Sequence, residues 1–143
     1  CPDVCPQLLQ TFDRIDGLMD GAAFEYPPGY LFVAIDPKRD TVARMADFMS
    51  SFNKKIVGLT GDEKQVEVLT KDLGIMRQVQ KIKGGGVEQS ADEAYLMDHT
   101  SSILIVNPDG NVHAISSPPH NADVIARDYR NIVSLAATGA VVR

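Results

Sequence analysis

Apolar positions along the chain recur at two different periods, and the changes of period mark out the elements. Leu8, Leu9, Phe12, Ile15 and Leu18 or Met19 fall three and four apart, which predicts a helix from Cys1 to about Met19. Pro2 suits a first turn, whose N–H groups lack intrahelical partners, whereas Pro6 predicts a distorted one. A loop over 21–29, with Pro27 and Pro28, leads to the apolar run Tyr30 to Ile35, which ends at Asp36-Pro37 and predicts a buried strand of the parallel-sheet kind. Asp40 then precedes a helix to Phe52 with Val42, Met45, Ala46, Met49 and Phe52 on one face. Ile56 to Leu59 is a second short strand. Asp62 is an expected N-cap with Gln65 at the capping-box position, and the helix that follows carries Val66, Val68, Leu69 and Leu73 before Gly74 ends it.

The second half is less regular. Ile75 to about Lys83 is either a strand or an extended segment, and Gly84 to Glu93 is a polar loop. Ser102 to Val106 and Asn111 to Ile115 flank Asn107-Pro108-Asp109-Gly110, a type I turn pattern, so this stretch predicts a β-hairpin. After a Pro-rich turn over 116–120, Asn121 caps a last helix expected to bury Val124, Ile125, Ile132, Val133 and Leu135, with Tyr129 near that face. Strands alternating with helices, then an antiparallel hairpin, give an α/β class with a mixed sheet flanked by helices. No internal repeat or boundary divides residues 1–143, which are expected to form a single domain.

Composition removes some functions. A hydrophobic content of 44% is ordinary for one packed core. A net charge of -5 and the lack of any basic run argue against nucleic acid or an anionic membrane surface as partner. No apolar stretch approaches the roughly 20 residues that span a bilayer. The chain opens directly on Cys1 at what reads as a helix start, so it is expected to be a fragment, with any anchor or targeting segment upstream.

The candidate chemistry begins with the only two cysteines. Cys1 and Cys5 stand at i and i+4, which on a helix puts their Cβ atoms about 5–6 Å apart on one face. At a helix N-terminus the dipole favours thiolate, the form that ligates metal and attacks disulfides. Three readings stay open: a redox pair, a metal site, or two packed thiols. The flanking prolines count against packed thiols, and the three-residue gap suits a chelate better than the two-residue gap of thioredoxin-type oxidoreductases.

Among the three histidines, His113 is expected to be a half-exposed strand residue and His120 a turn or helix-start residue. His99 follows the glycine-containing loop and precedes a strand, in the kind of loop position where ligands are often placed. Taken alone, that position does not make it a ligand.

Together, CPDVCP at 1–6, AIDPKRD at 34–40, GLTG at 58–61, YLMDHTSSILIVNPDG at 95–110 and SPPH at 117–120 resemble the Sco/SenC family, in order and over essentially the whole chain. The resemblance implies a thioredoxin-like fold with copper, as Cu(I) or Cu(II), bound by Cys1, Cys5 and His99. It implies a metallochaperone that assists maturation of the CuA centre of cytochrome c oxidase, with that enzyme's copper-site subunit and a copper donor protein as partners. The alternative it implies is a thiol–disulfide oxidoreductase in which Cys1 and Cys5 reduce the target's cysteines. It places such proteins in the bacterial periplasm on an inner-membrane anchor, or on the mitochondrial inner membrane facing the intermembrane space; here only an anchor outside this chain would reach the membrane. Asp36, Asp40 and Asp98 match motif positions and are assigned capping, turn and local-charge roles. The family pattern has a hairpin and a sheet strand before the first cysteine, so this chain is expected to lack its N-terminal strands and to be N-terminally truncated.

The donor set agrees with that implication. Two thiolates and an imidazole are a soft, three-coordinate set that suits Cu(I), whereas zinc favours a fourth ligand. Gly84 to Gly86 are expected to let the His99 segment swing toward the cysteines. A thiol peroxidase is a further reading, with Arg39 as the cation beside an activated cysteine.

Overall fold

The computed structural model describes residues 4–24, 27–81 and 95–138, with the backbone alone described for residues 4, 5 and 81. The expected loop over 84–93 and the hinge at Gly84 to Gly86 lie outside them, as does Cys1. The elements run α1 (Val4–Met19), β1 (Tyr30–Val33), α2 (Val42–Met49), β2 (Ile56–Leu59), α3 (Glu63–Asp72), β3 (Arg77–Lys81), β4 (Tyr95–His99), β5 (Ile103–Val106), β6 (Val112–Ser116) and α4 (Ala122–Ala137).

Local chemistry sets the ends of these elements. The Thr41 hydroxyl accepts from the Arg44 amide to start α2. Asp62 and Gln65 form the expected capping box of α3, and Gly74 leaves it at a φ of 66°. Asn121 accepts from the amides of Asp123 and Val124 to start α4. The turn between β5 and β6 closes with the Gly110 amide on the Asn107 carbonyl at 2.9 Å.

One core gathers α1, β1, β2, β5 and α4. Leu9, Ile15 and Met19 from α1 meet Tyr30, Ile56, Ile103 and the Ala122, Ile125, Ala126 stripe of α4. α1 and α4 pack together, and α2 packs on β2. Gly58 makes that second approach possible, because a Cβ there would stand 2.8 Å from Met49 Cγ and 3.0 Å from Met45 Cγ. Gly58→Ala is therefore expected to overpack the contact and cost about 1–2 kcal/mol in a urea melt.

The strands pair as β1 with β2 in parallel, and as β3 with β4 and β5 with β6 antiparallel. Among the described residues these are three two-stranded ladders. Among the described residues the edges of β1 and β5 away from their partners carry no strand, and a groove of about 1090 Å3 lies against Tyr30, Ile103 to Val106, Phe12 and Ile125.

Three expectations need correction. The run Tyr30 to Ile35 is not buried on both faces: Leu31 is 59% exposed and its neighbour Val57 51%, because helices cover only the Tyr30, Phe32, Ile56 face. Val42, Ala46, Val68, Leu69, Val124 and Leu135 also face solvent, so the apolar stripes are narrower than the periodicity suggests. His99 is not in a loop. It ends β4, a strand the sequence reading missed, and pairs with Arg77 across the ladder.

Candidate functional site

β4 alternates inward and outward residues, and Tyr95, Met97 and His99 share the half-buried face. At the end of the strand the backbone stays paired. The Thr100 amide donates to the Met76 carbonyl at 3.0 Å, and the Met76 amide donates to the Thr100 hydroxyl at 3.2 Å. His99 Nδ1 lies 3.0 Å from the Thr100 carbonyl oxygen. A carbonyl only accepts, so Nδ1 carries the proton, and in the neutral ring Nε2 is left as the free lone pair. An imidazole fixed in this tautomer by a backbone carbonyl is a prepared metal donor. Beside it a cavity of about 900 Å3 opens between α3 and the β3–β4 ladder, lined by Glu63, Glu67, Lys71, Arg77 and Gln78 among others.

Of the other two expected ligands, Cys1 lies outside the described residues and Cys5 is described by its backbone alone. That backbone places Cys5 in the first turn of α1, where unpaired amides favour a thiolate. Among the described residues no group of three metal-ligating side chains is found. The imidazole nonetheless fits a copper ligand, since its one unengaged atom is a nitrogen donor suited to that metal.

The aspartates of the motif differ in role. Asp36 is 5% exposed and accepts from the Tyr95 hydroxyl at 2.7 and 2.9 Å and from Arg39 Nε at 2.5 Å. Its carbonyl accepts from the amides of Arg39 and Asp40, so it also forms the expected turn. Arg39 donates from Nη1 to the Tyr95 carbonyl at 3.0 Å and lies 4.1 Å from that ring's centroid. Burial raises the Tyr95 phenol, helped by its bond to Asp36 and that carboxylate's charge. Burial, then the charge of Asp36, raises the Asp40 carboxyl. Asp98 is exposed on the opposite face of β4 from His99, where Gln80 Nε2 approaches its carboxylate at 3.4 Å.

His113 is exposed on β6. His120 is half-buried and donates from Nε2 to the Ser101 carbonyl at 2.6 Å, while Nδ1 stands 3.4 Å from the Ser116 hydroxyl. It ties the turn after β6 to the approach to β5. Arg39 is already engaged by Asp36 and Tyr95, which leaves little of its guanidinium for a peroxidatic thiol. Tyr95 was missed in the sequence as a contributor. The signal was there, since it stands four residues before His99, a spacing that puts both on one face of a strand.

The SCO1/SenC family model matches residues 1–134. Over 143 residues the chain is 28% identical to the mitochondrial protein SCO2 homolog of Bos taurus, covering 100% of this chain and 50% of that protein. It is 32% identical over 114 residues to the mitochondrial protein SCO1 homolog of Homo sapiens, covering 77% of this chain and 34% of the relative. The chain thus spans half or less of the length of these curated relatives. Bradyrhizobium japonicum ScoI, solved with copper bound, is 27% identical with a TM-score of 0.72, over 92% of this chain and 77% of that one. Yeast Sco1 superposes with a TM-score of 0.77 at 22% identity, over 94% and 77%, a likeness of fold. Both share the thioredoxin-like architecture. Among the described residues no helix is long and apolar enough to cross a membrane.

Proposed function

The chain belongs to the SCO1/SenC family, and from that premise we propose that it carries copper for the assembly of cytochrome c oxidase. Copper is its cargo, held by the thiolates of Cys1 and Cys5 and by Nε2 of His99. The observation that carries this reading is the 3.0 Å approach of His99 Nδ1 to the Thr100 carbonyl, which engages that nitrogen and leaves Nε2 to donate. The recipient is the copper-site subunit of the oxidase, and the supplier a copper donor protein. The site of action is the bacterial periplasm or the mitochondrial intermembrane space; the curated relatives named above are mitochondrial.

The first-turn placement of Cys5 also supports a second reading, in which Cys1 and Cys5 give two electrons and two protons to a target disulfide and close their own. A titration separates the two. The reduced protein is expected to bind one copper ion per chain, with a sulfur-to-copper charge-transfer band that is lost when Cys1→Ser and Cys5→Ser are combined. No uptake of copper, with metal-free reduction of a peptide disulfide, would overturn the carrier reading in favour of the reductase.

A further inference from the structure

We propose that Asp36, Arg39 and Tyr95 form a positioning clamp that sets where β4 holds the imidazole of His99; the inference rests on the copper-site reading above. The β3–β4 ladder bonds to no other strand among the described residues, so side chains must dock it. At the His99 end the visible tie is Arg77, 16% exposed, on Glu63 of α3, 50% exposed, a single pair open to solvent on one side. A lone, partly exposed ion pair holds less firmly than a buried, multiply bonded one.

The other end is held differently. Tyr95 opens β4 and is gripped at three points: its hydroxyl by Asp36, its carbonyl by Arg39 Nη1, and its ring face by the same guanidinium. Asp36 sits in the turn that follows β1, so the grip joins the ladder to the parallel pair at the core. A buried carboxylate with charge-assisted partners is costly to leave unpaired, which makes this contact stiff. His99 lies four residues along the same strand, about 13 Å away at the usual rise. A tilt of about 10° at Tyr95 would therefore move the imidazole by about 2 Å, more than the roughly 0.5 Å that a working site tolerates. No titration is involved; the clamp acts through geometry.

Tyr95→Phe removes one hydroxyl and leaves the ring, the Arg39 stack and the Asp36–Arg39 pair. Gly58→Ala serves as a control that loses stability by crowding Met45 and Met49, not Asp36, Arg39 or Tyr95. In metal-free protein, the His99 ring signals are expected to change their shifts and their NOE contacts across the cavity toward α3 in Tyr95→Phe, while the Nδ1–H tautomer held by Thr100 is kept, and to stay unchanged in Gly58→Ala. Copper affinity is expected to fall about tenfold in Tyr95→Phe only, as for a lost outer-shell partner. Ring signals and affinity like the wild type in Tyr95→Phe, or the same losses in Gly58→Ala, would overturn the clamp. A wild-type copper complex with no imidazole nitrogen among its donors would instead sink the copper-site reading, while the metal-free ring signals still decide the clamp.

Discussion

His99→Ala is expected to lower copper affinity by roughly 100-fold or more while the domain stays folded. Losing an outer-shell partner of a metal ligand typically costs about 10–100-fold, and losing the ligand itself costs more. The remaining donors would be the thiolates of Cys1 and Cys5, a pair that still suits Cu(I). The loss should therefore be larger for Cu(II), which gains more from the imidazole. Stability should hold because the ring is only half-buried and makes one hydrogen bond, to the carbonyl of the next residue. Such a bond contributes about 0.5–1.5 kcal/mol. Competition titration against a chelator of known affinity, with a thermal melt of the metal-free variant, checks both halves. An affinity within threefold of wild type would remove His99 from the site.

Leu9→Ala is expected to give the largest loss of stability. Leu9 has no exposed surface and is the one large side chain among the described residues that is completely buried. It belongs to the cluster where α1, β1, β2, β5 and α4 meet. Truncation removes contacts with several elements at once, and helices that must keep their places cannot close the void. Leucine-to-alanine changes in such sites cost about 3–5 kcal/mol. Against a total of about 5–15 kcal/mol that is a large fraction, and it corresponds to a fall in Tm of about 10 °C or more. Thermal unfolding followed by circular dichroism measures it, and a fall of under 3 °C would show that α1 is not pinned at this point.

The legible parts of the chain were those decided locally. The Asp62 capping box, the Asn121 cap, the Gly74 exit and the Asn107 to Gly110 turn depend on residues within four of each other, and all form as read. β4 was not legible because its partner β3 is distant in sequence, so no local turn signal joins Tyr95–His99 to Arg77–Lys81. The exposure of Leu31 and Val57 escaped for a similar reason: an apolar run says that a strand can be covered on both faces, not that helices are present to cover both. At the site, the motif around His99 marked the residue, and the ladder supplied its tautomer through Thr100. The roles of Asp36 and Arg39 needed Tyr95 beside them, 59 residues from Asp36.

The groove against β5 bears on how the strand edges would meet another chain. Among the described residues β1 and β5 each leave one edge without a strand, and such edges recruit strands from other chains. Pro27 and Pro28 line the groove just before β1 begins, and Pro108 and Asp109 line it just after β5 ends. Proline has no amide to offer an invading strand, and a carboxylate resists being enclosed in one. The approaches to these edges thus carry residues that discourage pairing with a strand from another chain.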